Sequence, residues 1–286
     1  MLENALYLTA SIGLSCSRNL LSKKSAISSS NFSLFFLSQT ILFFSASLLI
    51  LIFGSVSFSF VATETLFYGV IYGILLILSQ WMLTLSLKGG NVGVCTVIYS
   101  LGFLLPTLSG ALFFNETFTL TNGVGLILAL CVIVLNVKKE KTENLDKKHF
   151  VYLIIIAMLS SGGLGIMQKV QQNSAFKHQK GTFLLVAFVF AFLVSLLFYL
   201  FSKNKLTPNA KTVAVSSLTG LCFGGANFCN TFLAGRMPSA IFFPLQNIST
   251  IVASAVLGIL IFKEKTTPKT MLTILMGVAV ILFFVK

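Results

Sequence analysis

Four carboxamides sit in two apolar stretches of the second half of the chain, Asn227 and Asn230 within residues 212–235 and Gln246 and Asn247 within 238–262. An amide in hydrocarbon must find partners, so these side chains are expected to face a bundle interior or a water-filled cavity. Gly220, Gly224, Asn227 and Thr231 recur at helical spacing and form one small, polar helix face, with Gly225 beside it. Pro244 removes a helical donor and frees the carbonyl of Ala240. Tyr72, Ser79, Gln80, Trp81, Thr96, Tyr99, Ser100 and Pro106 supply similar groups from the first half, Gln168 another amide, and Arg18 a cation. Amides, hydroxyls and aromatic faces of this kind suit a polar neutral, zwitterionic or weakly anionic small molecule with a ring or aliphatic part. Amino acids and nucleobase-like or nucleoside-like compounds fit that description.

Each group also has a purely structural explanation. Gly220 and Gly224 serve close helix packing equally well, and Pro106 and Pro244 are either hinges or static bends. The amides pair across helices in that case, Trp81 and Tyr99 are core aromatics in a chain with 29 Phe, and Arg18 and Lys169 snorkel to the surface. Carboxylates are scarce: the single aspartate, Asp146, is in a hydrophilic linker, and Glu64, Glu116 and Glu264 sit at the edges of apolar runs. Coupling to protons needs a titratable group inside the membrane, so a proton-coupled exporter of drugs or metabolites is the runner-up rather than the first reading. Glu116 and Glu264 fall at helix C-termini, where the dipole opposes a carboxylate. They are expected to accept hydrogen bonds from the turn that follows and to hold a tight reversal. His149 and His178 stand alone in connectors without a metal-protease, serine-hydrolase or Asp-rich motif. No filter-like Gly-rich segment appears, so a membrane-embedded enzyme and a channel remain distant alternatives. Cys16, Cys95, Cys131, Cys222 and Cys229 show no CxxC spacing and read as small apolar residues. No cofactor and no metal site is expected.

The elements that position these groups must be membrane helices. Apolar residues make up 56% and charged residues 9% of the 286 residues, and the mean hydropathy is +0.95, which leaves too little polar surface for a water-soluble body. Stretches of the required length (about 20 residues) occur near 2–21, 32–54, 65–87, 91–114, 118–137, 150–168, 182–202, 212–235, 238–262 and 268–285. The first is weakest, interrupted by Ser15, Ser17, Arg18 and Asn19. It is expected to stay as a helix rather than be cleaved as a leader, since its cations follow the apolar run. The runs are too long and continuously apolar for barrel strands. The net charge of +13 lies in connectors such as Lys138, Lys139, Lys141, Lys147 and Lys148, a membrane-surface pattern that excludes nucleic acid as partner. With ten crossings both termini share one side, and the cation tally puts that side outside. The expectation is thus a multi-pass protein of a bacterial cell membrane whose partners are the bilayer and a small-molecule substrate, as monomer or homodimer.

The chain also repeats itself. Residues 111–119 read ALFFNETFT and 259–267 read ILIFKEKTT, and the offset that carries Glu116 onto Glu264 carries Lys88 onto Arg236 and Tyr99 onto Asn247. The hydrophilic segment 138–149 divides two halves, 1–137 and 150–286, of five spans each. An odd number of crossings inverts the second copy, giving an all-α integral membrane fold of ten helices in two inverted five-helix repeats. The Glu-terminated helix, short polar turn and final apolar helix, with GLSCSRNLLSK (13–23) and GLGIMQKVQQ (163–172) opening the halves, resemble the drug/metabolite transporter superfamily in its EamA-like ten-helix branch. That resemblance covers nearly the whole chain. It implies an alternating-access carrier, a facilitator or exchanger, with helices one to four of each half around a cavity and the fifth helices peripheral. It also implies cytoplasmic termini, opposite to the cation tally.

Overall fold

The computed structural model of the protein describes residues 2–25, 32–58, 60–89, 92–135, 147–202, 207–262 and 268–285. Among them the chain is helical and contains no strand: α1 (Leu2–Ser25), α2 (Phe32–Phe53), α3 (Thr63–Gly89), α4 (Val92–Ser100), α5 (Leu104–Phe113), α6 (Leu120–Leu135), α7 (Lys147–Asn173), α8 (Lys180–Leu200), α9 (Ala210–Ala234), α10 (Ser239–Phe262) and α11 (Pro268–Val285). Among the described residues each of the ten predicted stretches carries helix, the fourth broken into α4 and α5 by a 3-10 turn at Leu101–Phe103. Pro106 stands in the first turn of α5, where a missing N–H is tolerated. Among the described residues six helices are long and apolar enough to cross a membrane: Phe32–Phe53, Thr63–Leu87, Val151–Asn173, Lys177–Leu200, Ala210–Ala234 and Ser239–Leu260. Val97–Phe113, Leu120–Val134 and Met271–Phe284 are apolar but shorter. α1, with its serines and Arg18, falls outside both groups. Residues 138–146 of the linker lie outside the described residues, while 147–149 open α7.

Packing divides the chain differently from the linker. One compact unit is Met1–Ile77 with Val170–Gly235, the other Leu78–Lys169 with Arg236–Lys286. Each unit therefore draws helices from both sides of the linker, and α3 and α7 each contribute to both.

In the first unit α9 packs against α1 and α2, and α2 against α8. The α2–α9 seam is close because glycines face it: a Cβ on Gly220 would run into the Leu42 carbonyl and Ser45, and one on Gly224 would meet Ala46 at 3.1 Å. Gly69 and Gly73 let α3 lie equally close to Val186 and Ala187 of α8. Aromatic rings fill the rest, with Phe36 stacked on Phe198 at 4.9 Å and Phe188 edge-on to Phe223 at 5.8 Å. Between α2 and α3, Gln179 accepts from the Ala62 N–H (3.2 Å) and donates to the Phe60 carbonyl (3.1 Å).

In the second unit Phe103, Ala129, Val132, Ile133, Ile248, Val252 and Val280 build a core from the 3-10 turn, α6, α10 and α11. A smaller cluster joins Cys95, Ile154 and Ala157 with Met82, Leu83 and Tyr99. Gly162 lies on Leu105 and the Gly102 carbonyl, and Gly165 on Pro106, so α7 seats against the broken helix. Leu112, Phe113, Ile127, Leu275 and Leu282 point outward and are exposed, as expected where lipid rather than water is the solvent.

Candidate functional site

The polar groups of the first unit gather on α9. Asn209 caps this helix by accepting from the Thr212 N–H at 2.7 Å, which fixes the phase that turns Gly220, Gly224, Asn227 and Thr231 inward, all four buried. Gly220 and Gly224 are occupied by the α2 contact, the packing role that their spacing allowed. The Tyr72 hydroxyl of α3 donates to Asn227 Oδ1 at 2.5 Å, and Asn227 Nδ2 donates to the Phe223 carbonyl at 2.8 Å. Ser11 of α1, which the sequence reading missed, donates to Asn230 Oδ1 at 2.5 Å. Arg18 does not simply extend outward: its guanidinium lies 4.2 Å from the centre of the Phe223 ring. Thr40, Thr84, Thr107, Thr219 and Thr250 each donate to the carbonyl four residues back. Thr231 is fully buried, yet its hydroxyl has no partner among the described residues.

The second unit holds the other predicted residues. The hydroxyls of Ser79 (α3) and Tyr99 (α4) are 2.8 Å apart. Asn247 Nδ2 reaches the Ser100 carbonyl at 3.5 Å, just where the 3-10 turn interrupts the helix, and Asn247 Oδ1 is buried without a partner among the described residues. Gln80 and Gln246 accept through their carbonyls from Thr84 and Thr250. Gln168 is buried and Trp81 half-buried. Pro244 lies inside a continuous α10. The side chains of Lys88 and Thr96 lie outside the described residues, as does the whole of Glu264.

Tyr72 and Asn227 are thus brought into direct contact, whereas Asn230, Tyr99 and Asn247 bond to serines or a backbone carbonyl. Arg18, Tyr72, Asn227 and Asn230 belong to one unit, and Gln80, Trp81, Tyr99, Gln168, Gln246, Asn247, Pro106 and Pro244 to the other.

Glu116 departs most from expectation. The reversal itself is there: Asn115 takes a left-handed conformation (φ 52°), and the N–H groups of Phe114 and Glu116 both return to the Gly110 carbonyl. The carboxylate, however, does not bond to the turn that follows. It accepts from the Ser239 N–H at the start of α10 (2.6 Å) and forms an ion pair with Lys169 of α7. Lys169 was expected to snorkel, but only 6% of its side chain is exposed, and it also donates to the Met237 carbonyl at 3.2 Å. The sequence carried a signal for this: Lys169 follows Gln168 inside a helix, and Glu116 is one of the few carboxylates near a span end.

Comparison with solved structures places this helical arrangement among known folds. One, described only as a crystal structure of a protein, aligns over 98% of this chain and 96% of its own at 16% identity with a TM-score of 0.77, a likeness of fold. None of the curated proteins matches the chain. A family model, described as sugar transport protein, matches residues 27–285. The transporter expected from the residues is met at the level of the family, whose description is sugar transport rather than EamA. With nearly the full length matched, the chain belongs to the sugar transport protein family, a family of membrane transporters.

Proposed function

We propose that the protein is an alternating-access carrier of a neutral monosaccharide-like solute, working as a facilitator or exchanger through ten membrane helices in two inverted five-helix repeats of the EamA-like kind. The observation that carries the reading is the character of the polar groups within the spans. Amides, hydroxyls and aromatic rings dominate, and Glu116 is already held by Lys169 and the Ser239 N–H. A carboxylate so engaged is a poor ligand for a cationic cargo, which argues against an exporter of cationic drugs.

A sugar presents hydroxyls that both donate and accept, and an apolar ring face that stacks on aromatic side chains. Within the second unit Asn247 Oδ1, Tyr99, Trp81 and Gln80 supply matching groups, with Gln168 and Gln246 in support; within the first, Asn230 does so, with Arg18, Tyr72 and Asn227 in support. Amino acids and nucleosides use the same chemistry, and the family description tips the choice to sugars. The four less apolar or shorter spans, formed by α1, α4 with α5, α6 and α11, complete the proposed ten.

Proteoliposomes preloaded with unlabelled aldose should accelerate uptake of the labelled sugar, because counterflow requires a carrier that reorients. Counterflow with amino acids or nucleosides but with no aldose in a panel of hexoses and pentoses would replace the substrate class. Uptake without trans-acceleration for any solute would replace the mechanism.

A further inference from the structure

The start of α10 is held by unusual means. Pro244 leaves the Ala240 carbonyl without its helical donor, so the first turn of α10 has weak internal support. Pro238 precedes it and has no N–H, and its carbonyl receives Ile241 and Phe242 at 3.0 and 2.9 Å. What fixes this turn to the rest of its unit is Glu116, which accepts from the Ser239 N–H, and Lys169, which pairs with Glu116 and donates to the Met237 carbonyl. Gly110 makes the approach possible, because a Cβ there would collide with Glu116 Oε2 and lie 2.6 Å from Ser239 Cβ. A carboxylate at a helix N-terminus and beside an ammonium is doubly favoured, which offsets the unfavourable end of α5 from which it projects.

Chain connectivity adds to the case. Lys169 is the last residue of its unit before the chain passes to the other, and Arg236 is the first after it returns. The Glu116–Lys169 pair therefore grips the chain beside two of its three passages between the units.

We propose that Glu116 and Lys169 are positioning residues of the carrier: their ion pair sets the first turn of α10 and through it the placement of Gln246 and Asn247, two turns further on. This rests on the carrier reading for its effect on solute, but not for its effect on α10. Removing one charge leaves the other buried and uncompensated, whereas removing both is far better tolerated. The informative set is Lys169→Met, Glu116→Gln, the double variant Glu116→Gln with Lys169→Met, the exchange Glu116→Lys with Lys169→Glu, and Lys169→Arg.

Hydrogen exchange of the full-length protein in detergent gives the direct readout. The double variant should exchange amides in a peptide covering 236–247 at least tenfold faster than the parent, with peptides from α2 and α8 unchanged. Aldose affinity, read by thermal shift with the best-binding aldose of a hexose and pentose panel, should fall about tenfold in Lys169→Met, stay within twofold in Lys169→Arg, and remain low in the charge exchange. That exchange restores an ion pair but sets a cation against the helix N-terminus. In an Asn247→Ala background, adding Lys169→Met should cost no more than twofold. Unchanged exchange at 236–247, exchange raised equally throughout, or full additivity with Asn247→Ala overturns the positioning role. If exchange rises at 236–247 alone but the parent binds no aldose of the panel, the positioning of α10 stands and the sugar reading falls.

Discussion

Both ends of the Asn227 carboxamide are bonded within one unit, to Tyr72 and to the Phe223 carbonyl. Truncating it takes the Asn227 acceptor away from the buried Tyr72 hydroxyl, a loss of about 1–3 kcal/mol. Asn227→Ala is therefore predicted to lower the melting temperature clearly, and Tyr72→Phe should do the same more mildly, both visible in thermal unfolding of the detergent-solubilised protein. Asn247 is differently placed. It makes one long bond to Ser100, and its oxygen faces no donor among the described residues. Asn247→Ala should melt near the parent temperature yet weaken solute binding about tenfold, or about 1.4 kcal/mol. Equal loss of stability in both alanine variants would mark both amides as structural. From sequence the two asparagines look alike, since each is an amide within an apolar run. Only the identity of the opposing residue, more than a hundred positions away, separates them.

Helix contacts carry the same lesson one level up. The apolar runs and the reversal after α5 depend on neighbours in sequence, and were legible there. The partners of Glu116 were not, because the Ser239 N–H and Lys169 reach it only after α7 and α10 have packed. Nor was the 3-10 break after Ser100 legible as a place, although Pro106 marked the helix as interrupted. Glycine spacing announced a close seam on α9 without saying which glycine bears it. Here the geometry decides: a Cβ at Gly220 meets the Leu42 backbone, which cannot yield, whereas one at Gly225 meets only the end of the Leu14 side chain at 2.9 Å. Gly220→Ala is predicted to cost about 1–3 kcal/mol through overpacking, and Gly225→Ala well under 1 kcal/mol. Unfolding in a denaturant series compares them, and equal effects would show that α2 and α9 slide apart more easily than the seam suggests.

At the scale of the whole molecule, the proposed ten-crossing topology makes a prediction that needs no substrate. A single cysteine at position 144 should react with an impermeant reagent from the face opposite cysteines placed at the two termini, in a background without the five native cysteines. Labelling of all three from one side would reject the inverted arrangement. The interleaving of the two compact units has a further consequence, for the order of synthesis. Neither unit can close on its own stretch of nascent chain: α1 and α2 pack against α8 and α9, so the first unit stays open until Gly235 has emerged, and the second until α11 follows. In the proposed ten-crossing topology the polar face of α1, with Ser11 and Arg18, then sits in lipid during that interval without Asn230 and Phe223 to receive it. A ribosome stalled before α8 should therefore hold a protease-sensitive, degradation-prone intermediate, and protection should appear in two late steps rather than helix by helix.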